Sequence, residues 1–287
     1  MASVDSTKVT MTYHMSSEVR DFLQFWENLN NPEKTPDSDK TKDRKDQTRY
    51  RTDFPRVGLC LIINNENFQG EMDTLTGGQL DVNAAKKTFG NLGYEVIVEQ
   101  NLTVQEMRKQ MLKISKLDHS GYASFACVIL SHGHQGVVSG IDGIVPFEDL
   151  TIYLKGERCP TLLGKPKLFF IDTCQGSKVD RGVDVVDGAE GPTVRRIPVE
   201  ADFLYAYATA PGYIARINSH TGSWFIQAAC KILEEHRDLE LLQILTRVNR
   251  KVAYDYQQFS EYFGKTYDKQ MPCLVSMLTK EFYFPKK

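Results

Sequence analysis

The feature that most restricts this chain is a set of short apolar runs, VGLCLIIN, SFACVIL, KLFFI and FLYAYAT, set between segments of helical spacing. A strand that is apolar at every position needs both faces covered, and a sheet with helices on both sides provides that. Strands that alternate with helices are joined by crossovers, so neighbouring strands run parallel. YEVIVE reads as another strand, and CLVSML and EFYF as strands near the end. The spacing predicts helices over 81–92, 102–117, 224–235 and 239–254. In the second, Thr103 and Glu106 form a capping box, Leu102 and Met107 a hydrophobic staple, and Val104, Met107, Met111 and Ile114 the buried stripe. The fold class is therefore α/β, a mostly parallel sheet with helices on both faces, and sites in such sheets form beyond the carboxyl ends of the strands.

With 41% hydrophobic and 25% charged residues the composition is that of an ordinary globular protein, and a formal charge of −2 points to neither nucleic acid nor membrane. No run approaches the roughly 18 apolar residues of a membrane span, and MASVDSTKVTMTYHM lacks the apolar stretch of a secretory signal. The six cysteines are scattered singly, which suits a reducing cytoplasm better than a disulfide framework or a zinc site. Residues 1–52 read as a polar, largely disordered pro-segment, because 30–51 is charged, contains proline and has almost nothing apolar to bury. Residues 177–196 carry Gly, Pro and charge without periodicity, a loop long enough to need a functional reason, and exposed loop tips are where proteases nick chains.

Two loops leave apolar strands at their carboxyl ends: Ser131-His132-Gly133-His134-Gln135-Gly136 after SFACVIL, and Asp172-Thr173-Cys174-Gln175-Gly176 after KLFFI. A thiol and an imidazole facing each other suit acyl transfer, with the thiolate attacking and the imidazole moving the proton. The N–H groups of Gly133 and Cys174 are candidate oxyanion donors. His132, His134 and Cys174 lack a fourth ligand at metal-site spacing, so neither metal nor cofactor is expected.

At SHGHQG, DTCQG, IPVEADFLYAYATAPGY, GSWFIQAAC, LLQILTRVNRKVA and MPCLVSMLTKEFYF the chain closely resembles the executioner caspases, from about Pro55 to the last residue. The caspase signature is Q-A-C-[RQG]-G with a histidine about 50 residues upstream. Here the separation is 174 − 132 = 42, and Asp172 and Thr173 replace Gln and Ala. The resemblance implies a caspase-hemoglobinase fold with a six-stranded sheet. It also implies Cys174 as nucleophile, His132 as base, and a zymogen cut between a large and a small subunit. On that pattern 53–180 is the large subunit, 181–196 the linker and 197–287 the small subunit. Asp184-Val185-Val186-Asp187-Gly188 resembles an executioner processing site, and Arg181, Arg195 and Arg196 offer basic ones. Two such units would pair through MPCLVSMLTKEFYF, relieving an apolar edge.

The departures concern the primary specificity pocket. Caspases hold the P1 aspartate with two arginines and a glutamine; ungapped counting puts Gly77, Ile217 and Asp172 at those places. Arg216 is one residue from the second arginine position, but neighbours in an extended segment point to opposite sides. Asp172, with Glu71 and Asp73 in a nearby loop, would repel aspartate and suit arginine or lysine, as an aspartate does in trypsin-type pockets. Paracaspases and metacaspases, which cleave after basic residues, also carry Asp two positions before the cysteine. Asn218 and Trp224 match the outer substrate pocket of executioners. The reading is a cytoplasmic, homodimeric cysteine endopeptidase of cell death that cuts protein substrates after Arg or Lys, with upstream caspases and inhibitor proteins as further candidate partners. A catalytically weak dimerising decoy and a conventional P1-Asp caspase are the alternatives.

Overall fold

The computed structural model describes residues 48–155, 158–178, 201–260 and 266–285. Six strands form the central sheet: β1 (Arg56–Asn64), β2 (Tyr94–Gln100), β3 (Tyr122–Leu130), β4 (Lys167–Asp172), β5 (Phe203–Tyr207) and β6 (Cys273–Ser276). Their order is β6-β5-β4-β3-β1-β2, with β6 antiparallel to β5 and every other pair parallel. The main helices are α1 (Gly78–Leu92), α2 (Val104–Ser115), α3 (Trp224–Glu235) and α4 (Leu241–Asp255).

Successive strand residues point to opposite faces, and here both faces are covered. Cys60, Ile62, Val128, Leu168 and Phe170 join a cluster with Val82 and Phe89 of α1, Phe225 and Leu233 of α3 and Leu245 and Val248 of α4. Leu61, Ile63, Phe125, Ile129, Phe169 and Ile171 face the other way, onto Met107, Met111 and Ile114 of α2. Each such side chain is worth about 1.5–3 kcal/mol when fully buried, so the two-sided burial accounts for the uninterrupted apolar runs. The capping box forms as its sequence requires: Glu106 N–H donates to Thr103 Oγ1, and Thr103 N–H to Glu106 Oε2.

The EFYF segment differs from expectation. Phe282 and Phe284 are buried in the first cluster, but Glu281 makes only an isolated bridge to Arg49, so the segment is no strand of the sheet. Its alternating aromatics follow one buried face and not a ladder.

Chain order places the site. β1 continues through α1 to β2 on one side, whereas the next crossover, through α2, brings β3 to the other side of β1. Such reversals leave a crevice at the carboxyl ends of the strands. Asn64, Leu130 and Asp172, the last residues of β1, β3 and β4, are register partners. Their outgoing loops therefore start at the same height.

Candidate active site

Because Leu130 stands opposite Asp172, His132 and Cys174 each lie two residues past neighbouring strand ends, and they line one cavity. Gly133 is why the loops can approach. A Cβ there would lie 2.7 Å from the Val137 carbonyl oxygen and 2.9 Å from Thr173 Cβ, inside normal contact distance. The loop between β1 and α1 grips the imidazole. His132 Nε2 is 2.8 Å from the Asp73 carbonyl oxygen, and the Phe68 ring lies 4.6 Å from the imidazole centroid. A carbonyl only accepts, so Nε2 carries the proton and Nδ1 is left as the basic nitrogen.

Cys174 is partly buried, and its Sγ accepts the Ala215 N–H at 3.4 Å. Burial pushes the thiol pKa up, opposed by that N–H and by the Arg216 charge. The resting group is therefore a thiol. All six cysteines are free.

The floor of the cavity is acidic. Alternation along β4 puts Asp172 on the face of Phe170, beneath the α1 side of the sheet. Its Oδ2 is sealed from solvent with no hydrogen-bond partner among the described residues. Burial, and then the neighbouring Asp81 carboxylate, raise its pKa to about 7. Asp81, fully buried in the first turn of α1, lines the same cavity. Its two oxygens accept the Ser223 N–H at 3.0 and 2.9 Å, and Oδ1 also accepts from Gln227 Nε2 at 2.7 Å. Burial still raises its pKa to about 6.

The remaining positions singled out in the sequence divide. Ile217 lines the cavity. Gly77 sits at φ 107, where a Cβ would come within 2.7 Å of the Asn218 carbonyl oxygen, so a longer residue there requires the backbone to move. Arg216 backs onto the cavity, but its guanidinium is paired with Asp268. Asp73 is exposed and off the cavity wall; it acts on His132 through its carbonyl, and the structure brings neither its carboxylate nor that of Glu71 to the floor. Asn218 is exposed and caps a turn by accepting the His220 and Thr221 N–H groups. Trp224 is buried against Tyr256, away from the floor. Asp187, Arg181 and Arg196, and Arg195 with them, lie outside the described residues.

A thiol and an oriented imidazole presented together at the carboxyl ends of parallel strands define the class, a cysteine-type endopeptidase. The family model for the caspase domain matches residues 57–283. The chain is 49% identical over 239 residues to caspase-3 of Bos taurus, covering 82% of this chain and 87% of that protein. Identity is 48% to caspase-3 of Oryctolagus cuniculus and 49% to that of Mesocricetus auratus, each over 82% of this chain and 86% of the relative. The chain belongs to the caspase family.

Proposed function

We propose that this caspase cleaves protein substrates after arginine or lysine, with Cys174 as nucleophile, His132 as general base and Asp172 as the anchor for the P1 side chain. The observation that carries the specificity is the Asp172 Oδ2, shut off from water in the cavity that Cys174 also lines and without a hydrogen-bond partner among the described residues. A buried acceptor without a donor costs about 1–3 kcal/mol, more when charged, and a cationic P1 side chain supplies the missing donor. Ungapped counting puts Gly77 and Ile217 at the places of the family's aspartate-binding arginines, and Arg216, which lines the cavity, is paired with Asp268.

In this mechanism Sγ bonds to the scissile carbonyl carbon as its proton passes to His132 Nδ1. The oxyanion meets the N–H groups of Gly133 and Cys174. The C–N bond then breaks while His132 protonates the leaving amine. Water, deprotonated by the same imidazole, hydrolyses the thioester. We place the activity in programmed cell death, with a zymogen matured by cleavage within 181–196 and two copies paired through β6. Among the described residues that strand has β5 as its one neighbour in the sheet, which leaves its outer edge for a second chain.

Peptides identical except for P1 Arg, Lys or Asp, assayed on the linker-cleaved enzyme and on Cys174→Ala, test this reading. Turnover after Arg or Lys that disappears with Cys174→Ala is expected; turnover after Asp alone defeats the assignment of the floor.

The raised pKa of Asp172 gives that specificity a pH signature. Only the ionised carboxylate attracts a guanidinium, and the pocket carboxyl ionises near 7 in the free enzyme. The ratio of kcat/KM for a P1 arginine peptide over its neutral citrulline analogue is therefore expected to rise between about pH 6 and 8 and then level off. The ratio cancels every ionisation that affects both peptides alike, and a flat ratio across this window removes Asp172 from P1 recognition.

A further inference from the structure

The floor holds a second carboxylate, and, resting on the basic P1 reading above, we propose that Asp81 is a specificity-determining residue that makes the enzyme prefer arginine over lysine. Asp81 and Asp172 come from different elements, the first turn of α1 and the end of β4, yet line one cavity. Asp172 supplies an unpartnered, solvent-shielded Oδ2. Asp81 is held in one orientation by the Ser223 N–H at both oxygens and by Gln227 Nε2 at Oδ1, with the Ser223 hydroxyl as a further donor. The floor therefore presents a bound cation with two carboxylates from different elements instead of one.

The two basic side chains differ in what they can do with that. A guanidinium is planar, with five N–H donors in a rigid fork, and can bridge two carboxylates in one plane. An ammonium is a compact, strongly hydrated point charge at the end of a flexible stem. It would satisfy Asp172 while leaving Asp81 without a cation. The Asp81 charge is also felt at Asp172, where after burial it is the second cause of the raised pKa, and a cation placed between them relieves that repulsion. Leu75, Leu130, Ala215 and Ile217 give part of the cavity wall an apolar surface against which an alkyl stem can lie.

The decisive quantity is the ratio of kcat/KM for P1 arginine over P1 lysine in otherwise identical peptides. In the wild type it is expected to be at least tenfold, and in Asp81→Asn to fall to within about threefold, with the loss concentrated on arginine. A purely structural role would reduce both substrates equally and leave the ratio untouched, so an unchanged ratio in a folded Asp81→Asn overturns the proposal. Inhibition of the wild type by butylguanidine and by pentylamine gives a second reading that needs no variant. The guanidine is expected to bind at least tenfold more tightly, and equal inhibition overturns the proposal. Efficient cleavage after both bases without preference defeats Asp81 alone, whereas no cleavage after either defeats the basic P1 reading.

Discussion

Asp172→Asn is expected to lower kcat/KM for a P1 arginine peptide by roughly 10²–10³-fold while making the unliganded protein more stable. The first effect follows from burying the substrate's cation against a neutral amide. Removing one partner of a desolvated charge pair costs about 3–5 kcal/mol, which is about two to three powers of ten in rate. The second follows from linkage. Burial raises the Asp172 carboxyl from its ordinary value of 3.8 to about 7. Between those values the folded chain holds a proton that the unfolded chain has lost, so stability falls as pH rises through the window. Above about pH 7 the full penalty is present, on the order of 4 kcal/mol. Asparagine cannot ionise and escapes it, so melting temperatures should diverge as pH rises from 4 to 8, reaching a gain of about 5 °C or more for the variant. Below pH 4 the two proteins should melt together. A site that stores this much unfavourable charge in the absence of ligand exchanges stability for function. Unchanged cleavage in the variant would show that the carboxylate does not meet the P1 side chain; an unchanged melting curve would show that it is not desolvated.

Much of the scaffold was legible because two-sided burial leaves a pattern no surface strand shares. Every residue of β3 is buried, and SFACVIL announces it. The capping box of α2 was equally plain, since both of its partners lie within one turn. EFYF misled because alternation reports a face and not a ladder. Phe282 and Phe284 bury onto one cluster from a segment whose backbone pairs elsewhere. In the site, Cys174, His132 and Asp172 were readable because strand-end loops carry their identity in local sequence. Asp81 was not. As an acid in the first turn of a helix it looks like an ordinary complement to the helix dipole. What makes it part of the floor is a hydrogen bond from Ser223, 142 residues away. The orientation of His132 was hidden for a different reason: its partner is the carbonyl of Asp73, and a backbone acceptor has no side-chain signature.

The same juxtaposition of loops makes Gly133→Ala damaging although it adds a single methyl. Its Cβ would sit 2.7 Å from the Val137 oxygen and 2.9 Å from Thr173 Cβ, so the histidine loop must shift away from the cysteine loop. Overpacking of this kind costs about 1–3 kcal/mol of stability. The larger consequence is catalytic. His132 precedes residue 133 and Cys174 follows Thr173, so separating these two contacts separates base from nucleophile. Misplacing reacting groups by about 1 Å costs on the order of 10²-fold in rate. The expected result is therefore a fall in kcat of at least about 100-fold with KM for the same peptide changed much less, since the floor at Asp172 and Asp81 is built on other elements. Thr173→Gly removes one of the two obstacles but leaves the Val137 carbonyl. The double variant Gly133→Ala/Thr173→Gly should thus recover part, not all, of the lost kcat, a positive coupling between residues 40 apart in numbering but touching in space. If Gly133→Ala keeps wild-type kcat, the two loops do not depend on this contact. If the double variant is no better than the single one, Thr173 is not what the added methyl strikes.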